Sequence, residues 1–438
     1  DPTRAATAPT PASLREPVRV VTDSSGSRLQ VGGRDFLVRG VNWDYIPLGQ
    51  NYAFDLWHQP EAVIVEALDR EMSLIAGMGA NAIRVYVGIP PRWVQYIHER
   101  YGIYCIINHT VARYGFTLDG IWQPSVDYSN PRMRTAISAD VATALAPYRG
   151  VPGVLMYLLG NENNYGLSWS SFEIEALPKG DRNAARARHL YSLFGQIIQQ
   201  TKASDPGVPV AICNGDVQYV DIIAEECKGL EVFGTNVYRG ISARDLFSVV
   251  HAKLGVPVMF TEFGCDAFNA RTHREDQPMQ ARYLIGQWHE IYEQSAGHGR
   301  EGNAIGGCVF QWSDGWWKHG QDLRLDIHDT NASWPDEGFG DDFVKGDNNM
   351  NEEWWGLCAK GRPDGKWLYD LYPRVGYYAL RRVFAFNPYA AGNSDSAIVQ
   401  HFSDLTPATA ALEARRNHAA LEPDGAQRVR VSGVRMKF

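Results

Sequence analysis

Eight short runs rich in β-branched and aromatic residues recur between residues 36 and 317, and each is parted from the next by a longer stretch of helical period. The runs are "FLVRGVNW" (36–43), "NAIRVYV" (81–87), "YCIINHT" (104–110), "GVLMYLLGNE" (153–162), "VPVAICNGD" (208–216), "VFGTNVYRG" (232–240), "PVMFTEFGC" (257–265) and "GGCVFQWSDGWW" (306–317). Between them, segments such as "EAVIVEALDREMSLIAGMG" place apolar residues three and four apart and stop at Gly or Pro, the pattern of a surface helix. Strands joined by helices lie parallel, because a crossover long enough to hold a helix returns the chain to the same end of the sheet. Eight such units predict an α/β fold, a (β/α)8 TIM barrel, within the 438 residues.

The boundaries follow from what lies outside that alternation. Residues 1–18 are rich in Pro, Ala and Thr and read as a flexible leader. The segment "VRVVTDSSGSRLQVGGRDFLV" alternates about Ser-Gly and Gly-Gly turns and reads as an N-terminal β-hairpin at the barrel floor. The barrel with its hairpin spans 19–384, closing on a helix over 369–384. It includes a long insert after the eighth strand, 319–368, poor in period and rich in Asp, Glu, Gly, Asn and Trp. Such a segment is expected to arch over the cleft, with Trp316, Trp317, Trp354 and Trp355 holding it together. Residues 385–438 form a C-terminal extension with weak strand and helix hints only.

In a TIM barrel the working residues gather at the C-terminal strand ends. Those ends supply Asn42 and Asp44, Arg84, His109, Asn161 and Glu162, Tyr238, Glu262 and Trp312. The barrel turns sequence distance into proximity, so Glu162 and Glu262 face one another across a cleft. Two carboxyls so placed can divide labour, one kept protonated by burial and by its neighbour's charge, the other ionised. Amides beside Glu162 can bond hydroxyls without adding charge. The plainer readings are a strand-end ion pair with Arg84, a turn-capping Asn161 and a rim histidine at His109.

Composition narrows the partners. A net charge of −8 without clustered Lys or Arg excludes phosphate-backbone binding, so no nucleic acid is expected. No apolar run reaches the roughly 18 residues needed for a membrane span. Six cysteines without CxxC spacing read as buried thiols, and "DDFVKGDNN" lacks the spacing of a calcium loop, so neither metal nor cofactor is expected. Thirteen Trp and 21 Tyr suit a surface that stacks on flat rings such as sugars. The leader is of the kind that follows a removed signal peptide, giving an expected periplasmic or secreted location. The sequence leaves the oligomeric state open.

Taken together and in order, "VRGVNW", "NAIRVY", "GNEN", "NVYRG", "TEFG" and "FQWSDGWW" resemble the clan A glycoside hydrolases, most nearly the barrel domain of family 2, with family 5 a near relative. The resemblance covers roughly residues 30–384. It implies a retaining double displacement on a β-glucan or related β-hexoside, or transfer by a transglycosylase with the same pair; a catalytically silent carbohydrate-binding barrel is the reading from another class. On that resemblance Glu162 is the acid/base and Glu262 the nucleophile. Asn161 contacts the sugar 2-hydroxyl, Arg84 and Tyr238 stand by the nucleophile, and Trp312 is a sugar platform. His109, Asn42 and Asp44 are further candidates for substrate contact. Family 2 enzymes carry β-sandwich domains before the barrel, whereas a hairpin's worth of sequence precedes it here.

Overall fold

A computed structural model describes residues 14–421, apart from 87, 332–333, 335–336 and 346–348. Its centre is a closed barrel of eight parallel strands, numbered here β1 (Val38–Asn42), β2 (Ala82–Val85), β3 (Tyr104–His109), β4 (Val154–Leu159), β5 (Val210–Gly215), β6 (Val232–Asn236), β7 (Val258–Phe263) and β8 (Ala304–Val309). They follow one another around the ring in chain order, and β8 closes on β1 with Gly306 opposite Val38 and Val309 opposite Val41. Strands buried on both faces need near-continuous apolar sequence, which is why "VLMYLL" in β4 is wholly buried. At the closure the barrel wall is tight: a Cβ on Gly306 would come within 2.1 Å of the Val38 carbonyl oxygen, so only glycine fits.

Two boundaries differ from the sequence reading. β4 stops at Leu159 and β8 at Val309, short of the expected Glu162 and Trp317. In both cases the polar tail turns away from the ladder across the C-terminal face. The N-terminal element is a three-stranded antiparallel meander, Val18–Asp23, Gly26–Val31 and Arg34–Phe36, where a hairpin was expected. It sits at the floor, with the Ser27 amide donating to the Gly302 carbonyl at 2.7 Å and the Val18 amide to that of Gly207 at 2.9 Å. The tail of the expected leader is pinned there, since Arg15 pairs with Asp205 at 2.5 Å; residues 1–13 of that leader lie outside the described residues.

The insert after β8 crosses the C-terminal face. Its Leu325 carbonyl takes the Gly49 amide at 3.1 Å on one side, and its Asn351 amide reaches Asp266 at 3.0 Å on the other. Between these points His328 is stacked on Trp316 and Trp354, with ring centroids 4.3 and 3.5 Å away. Burial first of all pushes its pKa down to about 4, so the ring enters the stack uncharged. The closing helix is Val375–Phe384. Two further helices, Asp395–Ser403 and Pro407–Leu421, pack outside it and bury Ile398, Phe402, Leu405, Ala410 and Ala414 in the main core. Through residue 421 the C-terminal extension is therefore an outer layer of the barrel.

Candidate active site

The fourth strand end is held by its amides. Glu162 adopts a left-handed backbone (φ 55°), which a residue with a Cβ takes only where its surroundings enforce it. The enforcing groups are the asparagines beside it. Asn163 accepts from the Asn161 amide at 2.9 Å and donates to the Val111 carbonyl at 3.0 Å, tying the turn to the loop after β3. Asn164 accepts from the Gly215 amide at 2.8 Å and donates to the Gly215 carbonyl at 3.0 Å, tying it to β5. Both side chains are buried. Their amides are staples for the turn, where hydroxyl-binding groups were expected.

Glu262 lies in β7 and is buried. Its Oε1 accepts from Arg84 Nη1 at 2.9 Å and from the Tyr86 hydroxyl, and its Oε2 accepts from the Tyr238 hydroxyl at 2.8 Å. Arg84 is wholly buried and divides its donors among five side-chain oxygens. Besides Glu262 these are the Tyr86 hydroxyl at 2.9 Å, Asn42 Oδ1 at 3.0 Å, Asn108 Oδ1 at 2.9 Å and Asn161 Oδ1 at 2.9 Å. The guanidinium thus joins β1, β2, β3, β7 and the turn after β4 at one point.

Glu162 is treated differently. Asn236 Nδ2, at the end of β6, donates to Glu162 Oε1 at 3.0 Å and shares itself with Asn161 Oδ1 at 3.2 Å. Burial, and after it the charge of Glu262, push the Glu162 pKa from 4.5 up to about 7, against the opposing pull of Asn236 and Arg113. One carboxyl is set by a cation and two phenols, the other by burial beside the first. Near neutral pH the second can donate a proton, while the first is held in place by three donors.

The remaining candidates divide. Tyr238 is at Glu262, as described. Asn42 is buried and fully engaged, accepting from Arg84 and donating to the Thr261 carbonyl at 2.9 Å, so it supports the network without reaching the cleft. Asp44 is partly buried at the mouth of β1. Burial raises its pKa, and the ammonium groups of Lys360 and Lys318 oppose that shift. His109 turns outward and meets Asp140 at 3.0 Å on the surrounding helix, the position of a rim histidine. Trp312 is fully buried, with its indole N–H on Glu71 Oε2 at 2.6 Å, so its ring offers no face to a ligand. The expected sugar platform is instead a core residue, because the chain has already left β8 three residues earlier.

Tyr86, Asn108, Tyr114 and Asn236 belong to the site without having been read from the sequence. Tyr86 follows Arg84 by two residues, the period that returns a strand residue to the same face, and that spacing was available as a signal. Asn108 is the inward neighbour of the outward His109.

No family model matches the chain. A stretch of 148 residues is 27% identical to a β-galactosidase of Enterobacter cloacae, over 33% of this chain and 13% of that protein. Among solved structures, a family 2 β-galacturonidase from Eisenbergiella tayi aligns with a TM-score of 0.52 at 14% identity, over 85% of this chain and 55% of that one. A Bifidobacterium dentium β-glucuronidase aligns at 0.52 and 18%, over 85% and 50%, and a Parabacteroides merdae β-glucuronidase at 0.53 and 14%, over 84% and 40%. The chain spans at most about half the length of these relatives. What it shares with the solved structures is the fold, a TIM barrel of the kind found in family 2 glycoside hydrolases.

Proposed function

We propose that this chain is a retaining β-glycosidase, with Glu262 as nucleophile and Glu162 as acid/base. The observation that carries the reading is the unequal setting of the two carboxyls. Glu262 is fixed by Arg84, Tyr86 and Tyr238, whereas Glu162 has its pKa pushed up to about 7. In the first step a Glu262 oxygen attacks the anomeric carbon, the bond to the leaving oxygen breaks, and Glu162 gives that oxygen its proton. In the second, Glu162 takes a proton from water as the water oxygen displaces Glu262, returning the sugar with its configuration retained. Asn161, held between Arg84 and Asn236, stands at the cleft for a sugar hydroxyl.

The substrate we infer is a β-glucan or related β-hexoside. The proteins it resembles bear the names of enzymes for β-galactosides, β-glucuronides and β-galacturonides, which places those glycosides beside the glucans in the screen. Transfer to a hydroxyl acceptor uses the same pair, and exposed aromatic side chains beside Glu162 favour it as the second reading. A periplasmic or secreted location accords with a polymeric substrate. Among the described residues no helix is long and apolar enough to cross a membrane.

The test is a screen of the protein and its Glu262→Gln variant on p-nitrophenyl β-glycosides of those sugars and on β-glucans, following the product anomer by proton NMR. Turnover with retained configuration that vanishes in the variant is expected. An inverted product, or full activity in the variant, removes Glu262 from the role of nucleophile; silence of the wild-type protein across the screen refutes the glycosidase reading.

A further inference from the structure

Large aromatic side chains are ordinarily buried, yet Tyr114, Trp122 and Tyr165, on the loops after β3 and β4, are more than half exposed, at 60%, 58% and 55%. Around Glu262 the case is opposite. Tyr238 packs edge-on to Trp355 and Trp334 with centroids 5.2 and 5.4 Å away, and Trp355 is fully buried. These three rings lie on the loops that follow β3 and β4, the second of which carries the raised carboxyl of Glu162.

They are also seated rigidly. The Tyr114 hydroxyl accepts from Asn161 Nδ2 at 2.7 Å, and the guanidinium beside its ring, that of Arg113, donates to the Glu162 carbonyl at 3.0 Å. The Tyr165 ring lies on Gly215, where a Cβ would come within 2.3 Å of it. The Trp122 ring lies on Gly115 with the same 2.3 Å margin. In each case the missing Cβ lets the ring settle against the backbone while more than half of the side chain stays exposed. The hydroxyls of Ser125 and Ser168 meet at 3.0 Å and join the Trp122 hairpin to the loop after β4, so the two loops that carry the rings are tied together.

We infer that Tyr114, Trp122 and Tyr165 form a stacking platform for the sugar on the leaving-group side of the scissile bond. The inference rests on the assignment of Glu162 as acid/base. The acid protonates the leaving oxygen, so the departing sugar lies on the Glu162 side, where its apolar C–H face meets the exposed rings. After that sugar departs, the same surface holds an incoming saccharide acceptor. Its hydroxyl oxygen attacks the anomeric carbon, the ester bond to Glu262 breaks, and the hydroxyl proton passes to Glu162. The platform therefore favours transfer to sugars over transfer to water.

Two comparisons test this in Trp122→Ala and Tyr165→Ala. The first is the ratio of kcat/KM for a disaccharide β-glycoside to that for the β-glycosyl fluoride of the same glycone. Fluoride cannot stack, so the ratio isolates the leaving group and is indifferent to the fraction folded. It is expected to fall about tenfold for each ring, and the transfer-to-hydrolysis product ratio with added cellobiose is expected to fall with it. Equal losses on both substrates overturn the platform. The second needs no turnover: titration of the Glu262→Gln protein with cellohexaose and laminarihexaose, read by tryptophan fluorescence. A fluorescence change that disappears when Trp122→Ala is added supports the platform even if the glycosidase reading fails; no change with either hexasaccharide overturns it.

Discussion

Replacing Arg84 separates the two things it supplies, charge and geometry. The native guanidinium serves five side-chain oxygens from a fully buried position. Lysine keeps the charge but has three N–H donors, so Arg84→Lys leaves at least one buried oxygen unserved, at about 1–3 kcal/mol. Arg84→Met also removes the cation from Glu262, and breaking a buried pair in this way costs about 3–5 kcal/mol. The two variants should therefore differ by about 2 kcal/mol, close to thirtyfold in the unfolding equilibrium. Urea unfolding at pH 7 measures both, and repeating it in the Glu262→Gln background supplies the cycle. There the Met variant should lose most of its excess penalty, because no carboxylate is left stranded. If Arg84→Met is no worse than Arg84→Lys, or if its penalty is the same with Glu262→Gln, the guanidinium is a geometric tie alone and the charge argument is refuted.

Glu162 gives a pH dependence with a definite sign. Its pKa rises on folding from 4.5 to about 7, so the fold favours the neutral form. The stability this contributes is fully present below the ordinary value and is lost as pH rises through about 7. The rate of leaving-group departure should fall over the same upper limb, and Glu162→Gln should remove that limb from the pH profile of an activated substrate. Trp312→Phe takes one of two indole donors from Glu71, the other being Trp43 at 3.0 Å. It should lower the urea midpoint by the equivalent of about 1–2 kcal/mol while leaving KM within twofold, and a KM raised tenfold would restore Trp312 as a sugar contact.

The parts of this molecule legible in its sequence are those written in period and punctuation. Eight apolar runs parted by helical period gave the barrel, and the strand-end rule brought Glu162, Glu262, Arg84 and Tyr238 to one face. What was not legible depends on which way a side chain points. In a strand buried on both sides, alternation carries no polarity signal, so "IINHT" does not say that Asn108 turns inward and His109 outward. Trp312 was misplaced for a related reason. Once the chain leaves β8 at Val309, counting along the strand no longer tells which residue faces the cleft. The asparagines after Glu162 look ligand-binding in the sequence because nothing local reveals that Val111, in the loop after β3, and Gly215, at the end of β5, are their partners.

The central position of Arg84 also bears on how the chain is made. Its ion-pair partner arrives 178 residues later, so during synthesis β1–β6 emerge with a cation that lacks the carboxylate it pairs with in the ring. Closing a dry interior around that charge is prohibitive, so the early strands have no stable half-barrel in which to wait. The ring shuts when β7 and β8 come within reach, and a chain cut short before residue 258 keeps an open, water-filled sheet. Protease resistance of nascent chains should therefore appear in one step near the end of translation, at the moment the reactive cleft first exists.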